Sequence, residues 1–93
     1  MTSFTTRVLL HGADADDYES LHSCMEDEGF TRIISSDDAD YCLPEAEYNI
    51  VGEFPRSQVL DKAKTAAANT RKKYQILVTQ SAGRTWHGLD KAD

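Results

Sequence analysis

The chain has 93 residues, a formal net charge of −6 and a composition that is 40% hydrophobic and 28% charged. These values indicate one soluble globular domain. No apolar run approaches the roughly 20 residues of a membrane helix, and the N-terminal residues, MTSFTTR, lack the basic and apolar segments of a secretory signal. We therefore expect a cytoplasmic protein without a membrane segment, in which residues 1–93 form a single domain with its core over about residues 4–80 and a tail over residues 81–93.

The two halves of the chain carry opposite charge. Residues 1–53 contain thirteen acidic and two basic residues, whereas residues 54–93 contain eight basic and three acidic residues, so the balances are −11 and +5. This asymmetry is typical of proteins with an electrostatic partner. The alternative is that the halves interleave in one small domain and their charges mix on the surface.

The first part of the chain predicts a strand followed by a helix. Residues 4–11, FTTRVLLH, alternate apolar and polar positions with period two. The helix is expected to begin after Asp14 or Asp16, the latter spaced from Glu19 as in a capping box, and to run to about residue 28. Its apolar face at helical spacing consists of Tyr18, Leu21, His22 and Met25.

Four further elements follow in the sequence. They are a second strand over residues 30–35, a third within 41–53, a second helix over 56–70 and a fourth strand over 74–80. The third strand should be well paired only from Glu45, because Pro44 cannot donate to a ladder. The second helix buries a stripe formed by Val59, Leu60, Ala63, Ala66 and Ala67. A turn at Gly83 then leads into a short extended tail.

The order β-α-β-β-α-β predicts an α+β, ferredoxin-like domain, with a four-stranded antiparallel sheet and both helices on one face. Right-handed crossovers place the strands in the order 4-1-3-2. The fourth strand then lies at an edge, where its apolar residues Ile76, Leu77 and Val78 need cover. We expect either the tail around Trp86 or a second copy of the chain to provide it, which predicts a homodimer through the fourth strand or the tail.

The aromatic pattern of an RNA-recognition sheet is missing from the central strands. The basic residues lie elsewhere, around the second helix and its ends, and they are Arg56, Lys62, Lys64, Arg71, Lys72, Lys73 and Arg84. Among them we predict that Arg56, Lys72, Lys73 and Arg84 bind RNA phosphates. The alternative is an ordinary solvated face, with Arg71, Lys72 and Lys73 forming the turn that ends the second helix.

Histidine is the natural proton carrier for RNA cleavage near neutral pH. His11 closes the first strand and His87 lies in the tail, so both are candidates for catalysis, whereas His22 belongs to the apolar face of the first helix. Asp14, Asp16 and Asp17 are better explained by helix capping than by a cation. The two cysteines, at positions 24 and 42, form no C-x-x-C motif and are expected to be reduced thiols. We therefore expect no metal and no cofactor.

Four segments carry a resemblance to a known family. They are LHGADADDYESLHSCMEDEGFTRII, LPEAEYNIVGE, RSQVLDKAKTAA and KKYQILVTQSAGRTWHGL, which together span about residues 4–89. In these segments the chain resembles short bacterial proteins grouped with GhoS, the endoribonuclease antitoxin of type V toxin–antitoxin pairs. The resemblance implies a ferredoxin-like fold, RNA as the substrate and a cytoplasmic location.

Two functions remain open from the sequence. The first is a small RNA-directed protein that binds or cleaves single-stranded messenger RNA as an antitoxin. The second is a non-enzymatic, homodimeric interaction module, which the apolar fourth strand and the opposite charges of the two halves favour.

Overall fold

A computed structural model describes residues 1–36 and 38–92. In this part of the chain, two helices and five strands follow one another as β1 (Ser3–Leu10), α1 (Ala15–Asp27), β2 (Ile33–Ser35), β3 (Asp40–Cys42), β4 (Glu47–Val51), α2 (Arg56–Ala68) and β5 (Tyr74–Gln80). The predicted α+β class is confirmed. No helix within these residues is long and apolar enough to cross a membrane.

The first helix begins with a reciprocal cap. The Asp17 amide donates to Asp14 Oδ1 at 3.0 Å, and the Asp14 amide donates to Asp17 Oδ2 at 3.0 Å. The capping box is therefore formed by Asp14 and Asp17, and the predicted pair Asp16 and Glu19 is wrong. The first residue of a capping box is the N-cap residue, which needs an extended backbone conformation. In this chain Asp14 has that conformation.

The predicted single four-stranded sheet is wrong. One antiparallel sheet has the order β4-β1-β5, and a second, two-stranded sheet pairs β2 with β3. The two sheets meet through one bridge, between Thr31 and Asn49. The predicted third strand is interrupted because Pro44 has no amide proton and Ala46 takes a positive φ of 67°. The chain before this bend pairs with β2, and the chain after it pairs with β1.

Both helices pack on one face of the three-stranded sheet. The buried core there comes mainly from β1, α1, β4 and α2, and it contains Phe4, Val8, Leu10, Leu21, Met25, Phe30, Tyr48, Ile50, Val59, Ala63, Ala66 and Ala67. The alanines of α2 allow this helix to lie close to β1 and β5. Leu60 is 36% exposed, so it lies at the margin of the predicted stripe and not in the core.

The other face of this sheet, which we call the open face, is covered in part by the β2–β3 hairpin and the tail. The tail leaves β5 through a hydrogen bond from the Ser81 amide to the Ser3 carbonyl. It ends beside β3, where the Cys42 amide donates to the Asp90 carbonyl at 2.8 Å. Ile34 and Leu43 are buried on this side, away from the main core.

The tail does not cover β5. The ring of Trp86 packs instead against Tyr41 in β3, with the ring centroids 5.3 Å apart. Within residues 1–36 and 38–92, the outer edge of β5 has no strand partner, and Leu77 on this strand is 64% exposed.

Candidate nucleic-acid interface

A cavity of about 530 Å³, which we call the tail cleft, lies between the open face, the hairpin and the tail. Its lining combines a cation, a carboxylate, an imidazole and an indole with several apolar side chains. The lining residues are Thr5, Ile34, Leu43, Pro44, Glu47, Gly83, Arg84, Thr85, Trp86, His87 and Leu89. Two of the six residues singled out from the sequence, Arg84 and His87, lie in this lining.

Arg84 is held against the open face by neutral oxygen atoms. Its Nε donates to Thr5 Oγ1 at 3.1 Å, and its Nη2 lies 2.6 Å from the same oxygen. Nη2 also lies 3.1 Å from Ser3 Oγ and 2.7 Å from Asn49 Oδ1. Because Nη2 carries two protons, three acceptors oversupply it, and the guanidinium is fixed in one orientation.

The chain path explains how Arg84 reaches this position. β5 ends at Gln80, and Gly83 follows with a φ of 150°, a conformation that residues with a Cβ rarely adopt. The turn sends the tail back across β1 and away from the second helix. The interpretation of Arg84 as part of the basic surface around α2 is therefore wrong, since this residue lies on the opposite side of the sheet.

Among the residues that the structure describes, no carboxylate oxygen lies within 4.0 Å of the Arg84 guanidinium. The one ion pair within 4.0 Å there joins Lys72 to Asp17. Desolvation lowers the pKa of Arg84, although the residue as a whole is exposed to solvent. An anion that docked on the exposed part of the guanidinium would form charge-assisted hydrogen bonds.

Three side chains beside Arg84 have chemistry suited to a nucleotide. Trp86 is half-buried and presents an indole to the cleft, and indoles can stack on a base. Glu47, the first residue of β4, and the exposed His87 line the same cleft and can each carry a proton.

A second cavity, of about 560 Å³, adjoins the tail cleft and shares Ile34 and Arg84 with it. We call it the apolar groove, because Ile33 and Val51 line it and are 41% and 47% exposed. Its remaining lining comes from Met1, Ser3, Thr31, Ser35 and Asn49. Arg84 therefore stands between two cavities of the size that small ligands occupy.

Three other predicted residues lie together, away from the tail cleft. His11 donates its amide to the Lys73 carbonyl at 2.8 Å, at the carboxyl end of β1, and Lys72 Nζ lies 3.7 Å from Asp17 Oδ2. Two carboxylates, Asp14 and Asp17, cap α1 here and offset the positive charge. This end of the molecule is consequently a mixed surface of both signs.

The structure does not bring His11 and His87 together. His87 and Thr5 line the same cleft. His11 follows Thr5 by six residues along the chain, a distance of roughly 20 Å in an extended strand. Arg56 is exposed at the first residue of α2 and, within the described residues, pairs with no carboxylate.

The sequence did not single out Glu47 and Trp86, which line the cleft, or Asn49, which holds Arg84. The sequence feature that could have indicated the binding position of Arg84 is the alternation of two small hydroxyl residues, Ser3 and Thr5, on the open face of β1. No aromatic side chain of β1 or β4 faces this side, in agreement with the missing RNA-recognition pattern.

The third histidine belongs to the core, as predicted. His22 Nδ1 lies 2.6 Å from the hydroxyl of Tyr48, and both side chains are buried between α1 and β4. Burial lowers the pKa of His22 and raises that of Tyr48, so a neutral imidazole and a protonated phenol share this hydrogen bond.

Within residues 1–36 and 38–92, no group of three or more His, Cys, Asp or Glu side chains has the arrangement of a metal site. Cys24 and Cys42 are both free thiols; Cys24 is half-buried and Cys42 exposed. Comparison with protein-family models and with curated proteins found no match to this chain.

Proposed function

We propose that this protein binds single-stranded RNA at the tail cleft and cleaves it there, in the cytoplasm, with Arg84 as the residue that holds the phosphate. The observation that carries the proposal is a guanidinium fixed by three neutral side chains, without a carboxylate partner in the described chain. A cation prepared in this way favours a phosphate over a neutral ligand. The proposal agrees with the resemblance of the sequence to the GhoS-like antitoxins.

Cleavage would proceed through the ribose 2′-hydroxyl. A base removes its proton, the 2′-oxygen bonds to phosphorus, and the bond to the 5′-oxygen breaks as an acid protonates that oxygen. The products are a 2′,3′-cyclic phosphate and a 5′-hydroxyl. His87 and Glu47 are the two proton carriers in the cleft, and Arg84 would stabilise the charge that develops on the phosphate. His11 is too far along β1 to share one phosphate with His87, so we assign its predicted role to Glu47.

The first experiment measures binding. Anisotropy of a labelled single-stranded RNA with 2′-O-methyl riboses reports affinity without cleavage. Arg84→Ala should weaken binding by roughly tenfold or more, because it removes charge-assisted hydrogen bonds, and should lower the salt slope by about one. Lys64→Ala, which removes an exposed cation of α2, is the matched control and should change affinity little. Equal losses in both variants would refute the role of Arg84.

Arg56, Lys72 and Lys73 remain predicted phosphate contacts for a longer RNA. Their removal should weaken binding less than Arg84→Ala does, because Lys72 already faces Asp17. A larger loss in Lys72→Ala than in Arg84→Ala would move the interface to the end of β1.

The second experiment measures cleavage of unmodified RNA by identically purified variants. His87→Ala and Glu47→Gln should each reduce the rate by about a hundredfold or more while the affinity for 2′-O-methyl RNA is kept. His11→Ala should retain the rate. Equal cleavage by all four proteins would indicate a contaminating nuclease and would remove the catalytic part of the proposal.

A second candidate function, the homodimeric interaction module, has one specific observation in its favour. The outer edge of β5 is unpaired in the described chain, and residues 74–80 include no charged side chain and no proline, which usually protect such edges. Antiparallel pairing of two β5 strands would be self-complementary. Sedimentation should then give a dimer for the natural chain and a monomer for Leu77→Lys, whereas a natural monomer would refute this candidate.

A further inference from the structure

We infer that the ligand unit recognised by this protein is a dinucleotide step, with its phosphodiester at Arg84, one nucleoside in the tail cleft and the next in the apolar groove. This inference rests on the proposed function and specifies its substrate: an internal linkage of the RNA chain, and not a free phosphate or a terminal nucleotide. It follows from the position of Arg84 as a wall that both cavities share.

The guanidinium leaves room for a bridging ligand. Nε and Nη2 are occupied by Ser3, Thr5 and Asn49, whereas Nη1 forms no hydrogen bond with the residues that the structure describes. Asn49, which is only 6% exposed, fixes the buried side of the group. The free edge can therefore meet one phosphate, and the rest of a ligand can extend into the two cavities that Arg84 lines.

The apolar groove supplies an independent observation. Six large hydrophobic side chains are exposed in the described chain, and three of them, Met1, Ile33 and Val51, line this one groove. Exposed apolar side chains that gather in one groove are typical of a binding surface, and the neighbouring cation favours a ligand that also has an anionic part. A nucleotide has these two parts, since its base offers a flat apolar face and its phosphate a negative charge.

The contents of the two cavities set the direction of the RNA. Glu47 and His87, the proposed proton carriers, line the tail cleft and do not line the apolar groove. The general base has to reach the 2′-hydroxyl on the ribose, whereas the 5′-oxygen that the acid protonates is bonded to the phosphorus itself and stays at the boundary of the two cavities. The nucleoside whose 2′-hydroxyl attacks the phosphate should therefore occupy the tail cleft, where Trp86 can stack on its base. The nucleoside that follows it, on the 5′-oxygen side of the phosphate, should occupy the apolar groove.

Calorimetry with three probes tests this inference: inorganic phosphate, uridine 3′-monophosphate, and a uridylyl-adenosine dinucleotide with a 2′-O-methyl group. The dinucleotide should bind roughly tenfold more tightly than the mononucleotide, because a second base is then in contact with the protein. Phosphate alone should bind most weakly. Ile33→Ser combined with Val51→Ser should remove most of the dinucleotide's advantage and leave the affinity for the mononucleotide unchanged.

Trp86→Ala is the matched variant for the other cavity and should weaken both nucleotides. Equal affinity for mononucleotide and dinucleotide, with both lost in Arg84→Ala, would refute the dinucleotide step and leave RNA binding at Arg84 intact. Absence of binding for all three probes and for the longer 2′-O-methyl RNA would refute the inference and the proposed function together. A circular dichroism spectrum for each variant separates a local effect from unfolding.

Discussion

At the scale of single residues, the pair formed by His22 and Tyr48 makes stability depend on pH. Burial keeps the pKa of His22 below its ordinary value of 6.5, so the folded chain leaves the imidazole neutral where the unfolded chain protonates it. The unfolded state then binds more protons, and stability falls as pH decreases below about 6.5, by at most about 1.4 kcal/mol per pH unit. Above that pH, this contribution to stability is fully present.

Urea unfolding at about pH 7 and about pH 5 measures this loss. Tyr48, Arg32, Glu19, Glu26 and Glu45 are the other titratable groups that act on this imidazole. Because burial raises the pKa of Tyr48 and keeps the phenol protonated in this range, His22→Phe should flatten the pH dependence over the upper part of it. An equally steep dependence in His22→Phe would assign the effect to carboxylates elsewhere.

At the scale of elements, the two helices differ in how strongly their leucines hold the fold. Leu21 in α1 is fully buried, whereas Leu60 in α2 is 36% exposed. Leu21→Ala should destabilise the protein by about 2–5 kcal/mol, because it leaves a cavity in the core. Leu60→Ala should cost less than about 1 kcal/mol, since much of this side chain already contacts water. Chemical denaturation of both variants decides the matter, and equal losses would place Leu60 in the core.

The regular spacing of apolar residues predicts both helices and strands β1 and β5, since each of these elements has one apolar face. The same reasoning fails within residues 41–53. The sequence marks Pro44 as an interruption, but it does not tell which partner the chain on each side of Pro44 selects. That choice depends on β1 and β2, which meet the two pieces only in the folded molecule.

At the scale of the whole molecule, the sequence predicts Arg84 and His87 as site residues, but it does not predict the cleft that they line. Thr5 is 79 positions from Arg84, and Asn49 is 35 positions away. Local patterns carry no information about contacts between such distant residues. The path of the tail over the open face, which brings these residues together, follows from the turn after β5 and from the pairing of the tail with β3.

The tail should also be a stabilising layer of its own. It covers Ile34 and Leu43 on the side of the sheet that faces away from the helices, so its loss leaves the main core intact. In a chain that ends at Ser81, we expect amide exchange to become fast in β2 and β3, while β1, β4 and β5 stay protected. The physical reason is that the hairpin loses both its backbone partners in residues 90–92 and its apolar cover.

Hydrogen exchange followed by mass spectrometry distinguishes the possible results. Trp86→Ala keeps the backbone pairing of the tail and removes its ring contact with Tyr41, so its hairpin should exchange at a rate between those of the natural and shortened chains. Uniform loss of protection in the shortened chain would mean that hairpin, tail and helices form one cooperative unit. Unchanged protection of β3 in the shortened chain would mean that the tail does not stabilise the hairpin. In the natural chain, Arg84 would then hold its position through Ser3, Thr5 and Asn49 alone.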